Sequence, residues 1–261
     1  MKVNNFILVS CLGTVLRRGT NVETWETQDA KTALSVLLAF VLHQKPKVRK
    51  SGQKAVAILL NTSGISQVAV DEVALFCATE LQKSTNDAQT LHLMAFIRSV
   101  ISVFSLTSQK EICQICLRLQ TLSSRMVRIH ALKTLNDFLR GIVRNSQKIA
   151  IENIKSESTE EEIDLDELRD RVAEYKLENL PVELITKLII ALRDIRPSSG
   201  DKQVCLAWLE VVHSCCFTIS ASDQPRVILE FLPQVSLFHH STRVSCVKMS
   251  ENRSKNVRKF G

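Results

Sequence analysis

Glycine, proline and tyrosine are scarce in this chain of 261 residues, which holds seven, five and one of them. Tight-turned sheets and phosphate-cradling loops draw on glycine and proline, so their scarcity argues against both. Neither G-x-x-x-x-G-K-[ST] nor G-x-G-x-x-G occurs, which removes the two common nucleotide-binding loops. Long apolar runs are missing too. The longest near the start, Phe6 to Leu16, is too short to span a bilayer. It runs into Arg17-Arg18 without a clear small-residue cleavage site. It is expected to be a buried helix, with a secretory signal as the alternative.

What remains is rich in Leu, Ala, Ile, Val, Lys, Gln and Glu. Hydrophobic residues make up 45% of the chain, enough to build a core rather than a disordered coil. This composition predicts an all-α protein. The formal charge of +7 is unevenly spread. Residues Glu152 to Glu178 hold eleven acids and four bases, so the rest of the chain is near +14. A basic body suits an acidic partner such as nucleic acid; a lysine-rich helical surface is the plainer alternative. Eight cysteines, Cys11, Cys77, Cys113, Cys116, Cys205, Cys215, Cys216 and Cys246, mostly sit inside apolar helical patterns. They read as small core residues of a reducing compartment, not as a disulfide framework.

Apolar residues recur at helical spacing almost throughout. Helices are predicted at about Asn4–Arg18, Gln28–Gln44, Pro46–Asn61, Gln67–Lys83, Ala88–Phe104, Gln109–Thr121 and Met126–Arg144. Beyond an acidic interval holding a charged helix near Leu165–Lys176, others follow at Pro181–Ile195, Gln203–Thr218 and Pro225–Phe231. Short, similar helices with short linkers predict a solenoid. "PKVRKSGQKAVAILL" from Pro46 and "RMVRIHALKTLNDFL" from Arg125 support an internal repeat. Val48-Arg49 aligns with Val127-Arg128, Lys54 with Lys133 and Leu60 with Leu139, at an offset of 79 residues. That offset suits two helical hairpins of the HEAT or armadillo length class. The expected architecture is a HEAT/armadillo-like α-solenoid of stacked hairpins. Residues 1–146 form repeats, 147–178 an acidic and partly disordered insertion, 179–232 further repeats, and 233–261 a basic, disordered tail.

Repeat logic gives Val48, Arg49 and Val127 structural roles. The valine should enter the core, and the arginine should reach an acceptor in the turn or the next unit. Lys45, Lys47 and Lys50 of "KPKVRK" are not needed for packing and are candidate partner contacts, together with Arg125 and Arg128. Six residues are too few to specify an import signal. Cys113-x-x-Cys116 has the look of a metal or redox pair, but no second pair stands at zinc-site spacing, so core packing is favoured. Cys215-Cys216 beside His213 is read the same way. His43, His92 and His130 stand alone on helices, and His239-His240 has no partner acid. No nucleophile, base and orienting group can be assembled, so no catalysis and no cofactor are expected. The acidic run Glu160 to Glu167, "EEEIDLDE", reads as a solvated insertion, or else as a contact for a basic partner.

The segments "HQKPKVRKSGQKAV", "TLHLMAFIRSVISVF" and "ENLPVELITKLIIALRDIRPSSGDKQVCLAWLEVV", in this order, together resemble the ribosomal RNA-processing protein 12 family. "LVSCLGTVLRR" with Trp25 fits the region just upstream. The resemblance covers about Asn5 to Leu232. Residues Gln147 to Lys176 depart from it as an insertion, and the chain after Pro233 does not continue as the family does. It implies members several times longer, so the chain is expected to be part of a longer protein or a truncated reading frame. It also implies a non-enzymatic nuclear and nucleolar solenoid that binds precursor ribosomal particles and ribosomal RNA and supports subunit maturation and export. The alternative is a transport-receptor-like solenoid that takes peptides from assembly or nuclear transport factors without touching RNA. Neither reading involves a membrane or a small-molecule substrate.

Overall fold

The computed structural model describes residues 5–19, 22–122, 124–157, 182–195, 197–198, 200–216 and 218. Ten α-helices and no strand occur among them: α1 (Asn5–Arg18), α2 (Val22–Glu26), α3 (Gln28–Ala39), α4 (Pro46–Leu60), α5 (Gln67–Lys83), α6 (Asp87–Val100), α7 (Leu106–Leu122), α8 (Arg125–Glu157), α9 (Val182–Asp194) and α10 (Lys202–Cys216). Short 3-10 turns, Phe40–Leu42 and Ile101–Val103, end α3 and α6.

The helices stack in two layers. One layer runs α3, α5, α7, α9, and the other runs α1, α4, α6, α8, α10, with each helix touching the next in its layer. We call these the A and B layers. Successive hairpins α3–α4, α5–α6, α7–α8 and α9–α10 link them, which makes an all-α solenoid. Cross-helix contacts fix the register of the B layer. Gln53 of α4 donates to the His92 carbonyl of α6, Arg98 of α6 pairs with Asp137 of α8, and the Ser214 hydroxyl of α10 meets the Asn136 amide oxygen of α8. The first two pairs are 39 residues apart, half the repeat offset seen in sequence. The B-layer helices are therefore parallel, with their N-termini on one edge.

The core lies between the layers and is continuous from Val9 to Cys215. Trp25, Trp208, Phe96 and Phe138 are its largest wholly buried side chains. Five helix starts are capped by a short polar side chain: Thr27 for α3, Ser66 for α5, Asn86 for α6, Ser105 for α7 and Asp201 for α10. Buried glutamines close turns. Gln109 donates to the carbonyls of Ile101 and Phe104 at 2.8 Å each, and Gln120 to those of Cys116 and Arg128. Gly64 turns the chain after α4 with φ 81°, which a Cβ would oppose. Gly52 serves packing instead: a Cβ there would lie 2.8 Å from the Phe40 carbonyl carbon.

Several elements differ from the sequence reading. α2, which buries Trp25 at 2% exposure, was not expected; its indole donates to the Gly19 carbonyl at 2.7 Å. α8 does not stop near Arg144 but continues to Glu157, into the stretch read as an insertion, and no glycine or proline interrupts it after Gly141. α1 is not buried all round. Val9, Gly13 and Leu16 face α4 and α3, while Phe6, Ile7 and Val15 stay more than half exposed. No helix among the described residues is long and apolar enough to cross a membrane. The helices read at Leu165–Lys176 and Pro225–Phe231, the run Glu160–Glu167, His239-His240 and the basic tail lie outside the described residues.

Candidate nucleic-acid interface

Charge is sorted by layer. Counting Lys and Arg against Asp and Glu, α1 carries +2, α4 +4 and α8 +4, with α6 and α10 neutral. In the A layer, α5 carries −2, α7 +1, and α3 and α9 are neutral. The net positive charge of the folded part therefore sits on the B layer. α4 is its centre, because Lys47, Arg49, Lys50 and Lys54 share a helix that has no acid at all.

The start of α4 breaks the capping pattern seen at α3, α5, α6, α7 and α10. Lys45 occupies the N-cap and makes no side-chain cap bond, and Pro46 follows it. The Lys45 amide is satisfied instead by His43 Nδ1 at 3.0 Å. Lys45, Lys47 and Lys50 are all exposed, and none forms a salt bridge among the described residues. Three lysines thus surround the positive end of a helix dipole, where acids are normally favoured. Such an arrangement costs stability through self-repulsion and attracts an anion.

Arg49 is held apart from this group. Its guanidinium donates to the carbonyls of His43 and Gln44 at 3.2 and 3.3 Å, tying α4 to the preceding turn. Its repeat partner Arg128 is half-buried, and the Arg128 Nε has no hydrogen-bond partner among the described residues. Val127 is in the core at 1% exposure. Val48 is only half-buried, because the first turn of α4 stands out at the solenoid edge. Arg125 also lies on that edge, but Asp201 pairs with it at 3.0 Å. The five candidate contacts thus share one edge and not one patch. The α6 start, with Asn86 and Asp87, lies between the lysines and the arginines, a gap of two interhelix steps or roughly 16–20 Å.

Farther along the B layer the structure adds groups that sequence reading did not propose as contacts. Lys54 and Arg140 are exposed and Lys133 is half-exposed. Arg98 faces Asp137 at 2.5 Å. Burial holds the His130 ring below the usual histidine range, with Arg98 and Lys133 adding to the effect. Burial and Arg49 do the same to His92. These residues are scattered in sequence; only the alternation of layers joins them. The signal available was that the positive charge is concentrated in α1, α4 and α8.

The thiols do not form a site. Cys113 and Cys116 are buried in α7, and burial pushes Cys116 up to about 12 and Cys113 well above its ordinary value, the neighbouring thiol adding to Cys113. Cys215 is likewise raised by burial, and Cys216 less so. No group of three or more His, Cys, Asp or Glu side chains able to hold a metal occurs among the described residues.

Comparison with known proteins agrees with this repeat architecture. The family described as "RRP12-like, N-terminal HEAT repeats" matches residues 6–143. An RRP12-like protein of Gallus gallus is 29% identical over 213 residues, which is 77% of this chain and 14% of that protein. RRP12-like proteins of Homo sapiens and Drosophila melanogaster are 27% and 22% identical over 78% of this chain and 14% of their own length. The chain thus spans about one seventh of the curated relatives it matches.

Proposed function

The chain belongs to the RRP12-like family through its N-terminal HEAT repeats, and on that premise we propose that it is a non-enzymatic scaffold of ribosome biogenesis that binds precursor ribosomal RNA. The observation that carries this reading is the segregation of charge: a basic B layer culminating in an acid-free α4 whose uncapped start presents Lys45, Lys47 and Lys50. Contacts of this kind engage phosphates. They position a strand without reading its sequence, and they weaken steeply with salt. Arg125 and Arg128 extend the surface along the same edge; RNA must compete with Asp201 for Arg125. On this reading the protein works in the nucleus and nucleolus, its partners are precursor ribosomal particles with their assembly and nuclear transport factors, and it supports rRNA processing and subunit export.

The test is a salt series of binding to precursor ribosomal RNA, with the Lys45→Glu/Lys47→Glu/Lys50→Glu variant beside the parent and circular dichroism confirming both folds. Loss of three phosphate contacts should lower the slope of log affinity against log salt by about 2 to 3. An unchanged slope, or a parent that ignores RNA at low salt, rejects the proposal.

A further inference from the structure

The A layer is not closed evenly. α5 packs along α7, but toward α3 it is held off by α2, which touches both. Trp25 anchors that wedge. The result is an open groove of about 630 Å³ between α3 and α5. Its floor and lips carry Val36, Leu75 and Phe76, with Val36 and Leu75 exposed at 39% and 58%. Its α5 wall carries Glu72 and Glu80, and neither has a salt-bridge partner among the described residues. These acids are eight residues apart, about 12 Å along one side of the helix. Lys31 stands on the α3 wall.

We propose that this groove docks a basic amphipathic helix of a protein partner. The apolar floor takes side chains spaced three or four residues apart on one face of a helix. The two carboxylates meet lysines or arginines flanking that face, about two turns apart. Lys31 repels a basic flank from the α3 wall and so fixes which way round the partner lies. The groove is on the layer opposite the basic α4 surface and carries the opposite charge. It therefore serves a second partner at the same time, independently of the RNA reading.

Random peptides of about 15 residues, roughly four helical turns, are displayed and selected on the full chain and on its Glu72→Lys/Glu80→Lys variant. Peptides selected on the parent should be amphipathic with basic flanks and should bind Leu75→Glu about tenfold more weakly or worse. The charge-reversed protein should select acidic flanks instead. Glu72 and Leu75 are exposed and Glu80 half-exposed, so these variants keep the fold, and their RNA affinity should stay within about threefold of the parent's. Selection of neutral or acidic peptides by the parent, or binding that Leu75→Glu leaves untouched, overturns the proposal. So does failure to obtain any groove-dependent peptide, competition by RNA for the groove, or Leu75-dependent self-association in sedimentation.

Discussion

Burial decides what the cysteines and histidines can do. A thiol with a raised pKa is a poor nucleophile and a poor metal ligand near neutrality, and Cys77, Cys113, Cys116 and Cys215 are all in that state. Cys11 is exposed on α1. A thiol reagent should label Cys11 within minutes and these four only on unfolding; fast reaction of Cys113 or Cys116 in the folded protein would contradict the packing. His92 and His130 bear on pH. Their folded pKa values lie below the unfolded value of about 6.5, so the unfolded chain takes up protons first as pH falls. Stability is complete above about pH 6.5 and erodes below it, toward the folded values. The melting temperature should therefore drop between pH 7.5 and 5.5, and less so in His92→Gln/His130→Gln; an equal drop in the variant would assign it elsewhere. Sequence showed both histidines as isolated. It could not show that Arg49 faces His92 and Arg98 faces His130, since those contacts cross between helices; only Lys133, three residues on from His130, shares its helix.

The helices themselves were largely legible, because a 3.6-residue apolar period survives in the longer ones and polar caps mark five of their starts. What sequence hid was set by neighbours in space. α2 is only five residues long, too short to show a period, and its place depends on burying Trp25 where α2 meets α3 and α5. Gly52 looks like a weakness inside α4, since glycine costs about 1 kcal/mol against alanine in a helix. The Phe40 backbone lies so close that a methyl group cannot enter without displacing it. Gly52→Ala should accordingly lose about 1–3 kcal/mol in urea unfolding despite its better propensity; a gain would mean that α4 can slide away from the 3-10 turn. α8 outlasts the Arg144 end read from its pattern for a related reason: helix formation depends on backbone-compatible residues and continues through Glu157.

At the scale of the whole molecule, charge divides by layer: the B-layer helices carry +10 and the A-layer helices −1. That division was out of reach for a linear reading, which found the cluster at Lys45 to Lys50 and then had to choose between a lysine-rich face and a nucleic-acid surface. Alternating helices place Lys54, Lys133 and Arg140 on the same layer as that cluster, while Lys31, Lys83 and Lys110 lie on the other. The two sets are matched in number and sign, so net charge alone predicts equal effects on reversal. An interface confined to the B layer predicts otherwise. Lys54→Glu/Lys133→Glu/Arg140→Glu should weaken binding of precursor ribosomal RNA at least tenfold near physiological salt, as expected for two or three lost phosphate contacts. Lys31→Glu/Lys83→Glu/Lys110→Glu, with the same change in net charge, should shift it less than about threefold through the long-range field, which salt screens within about 8 Å. Equal losses would mean that RNA senses only total charge, and the two layers would then have no separate roles in binding.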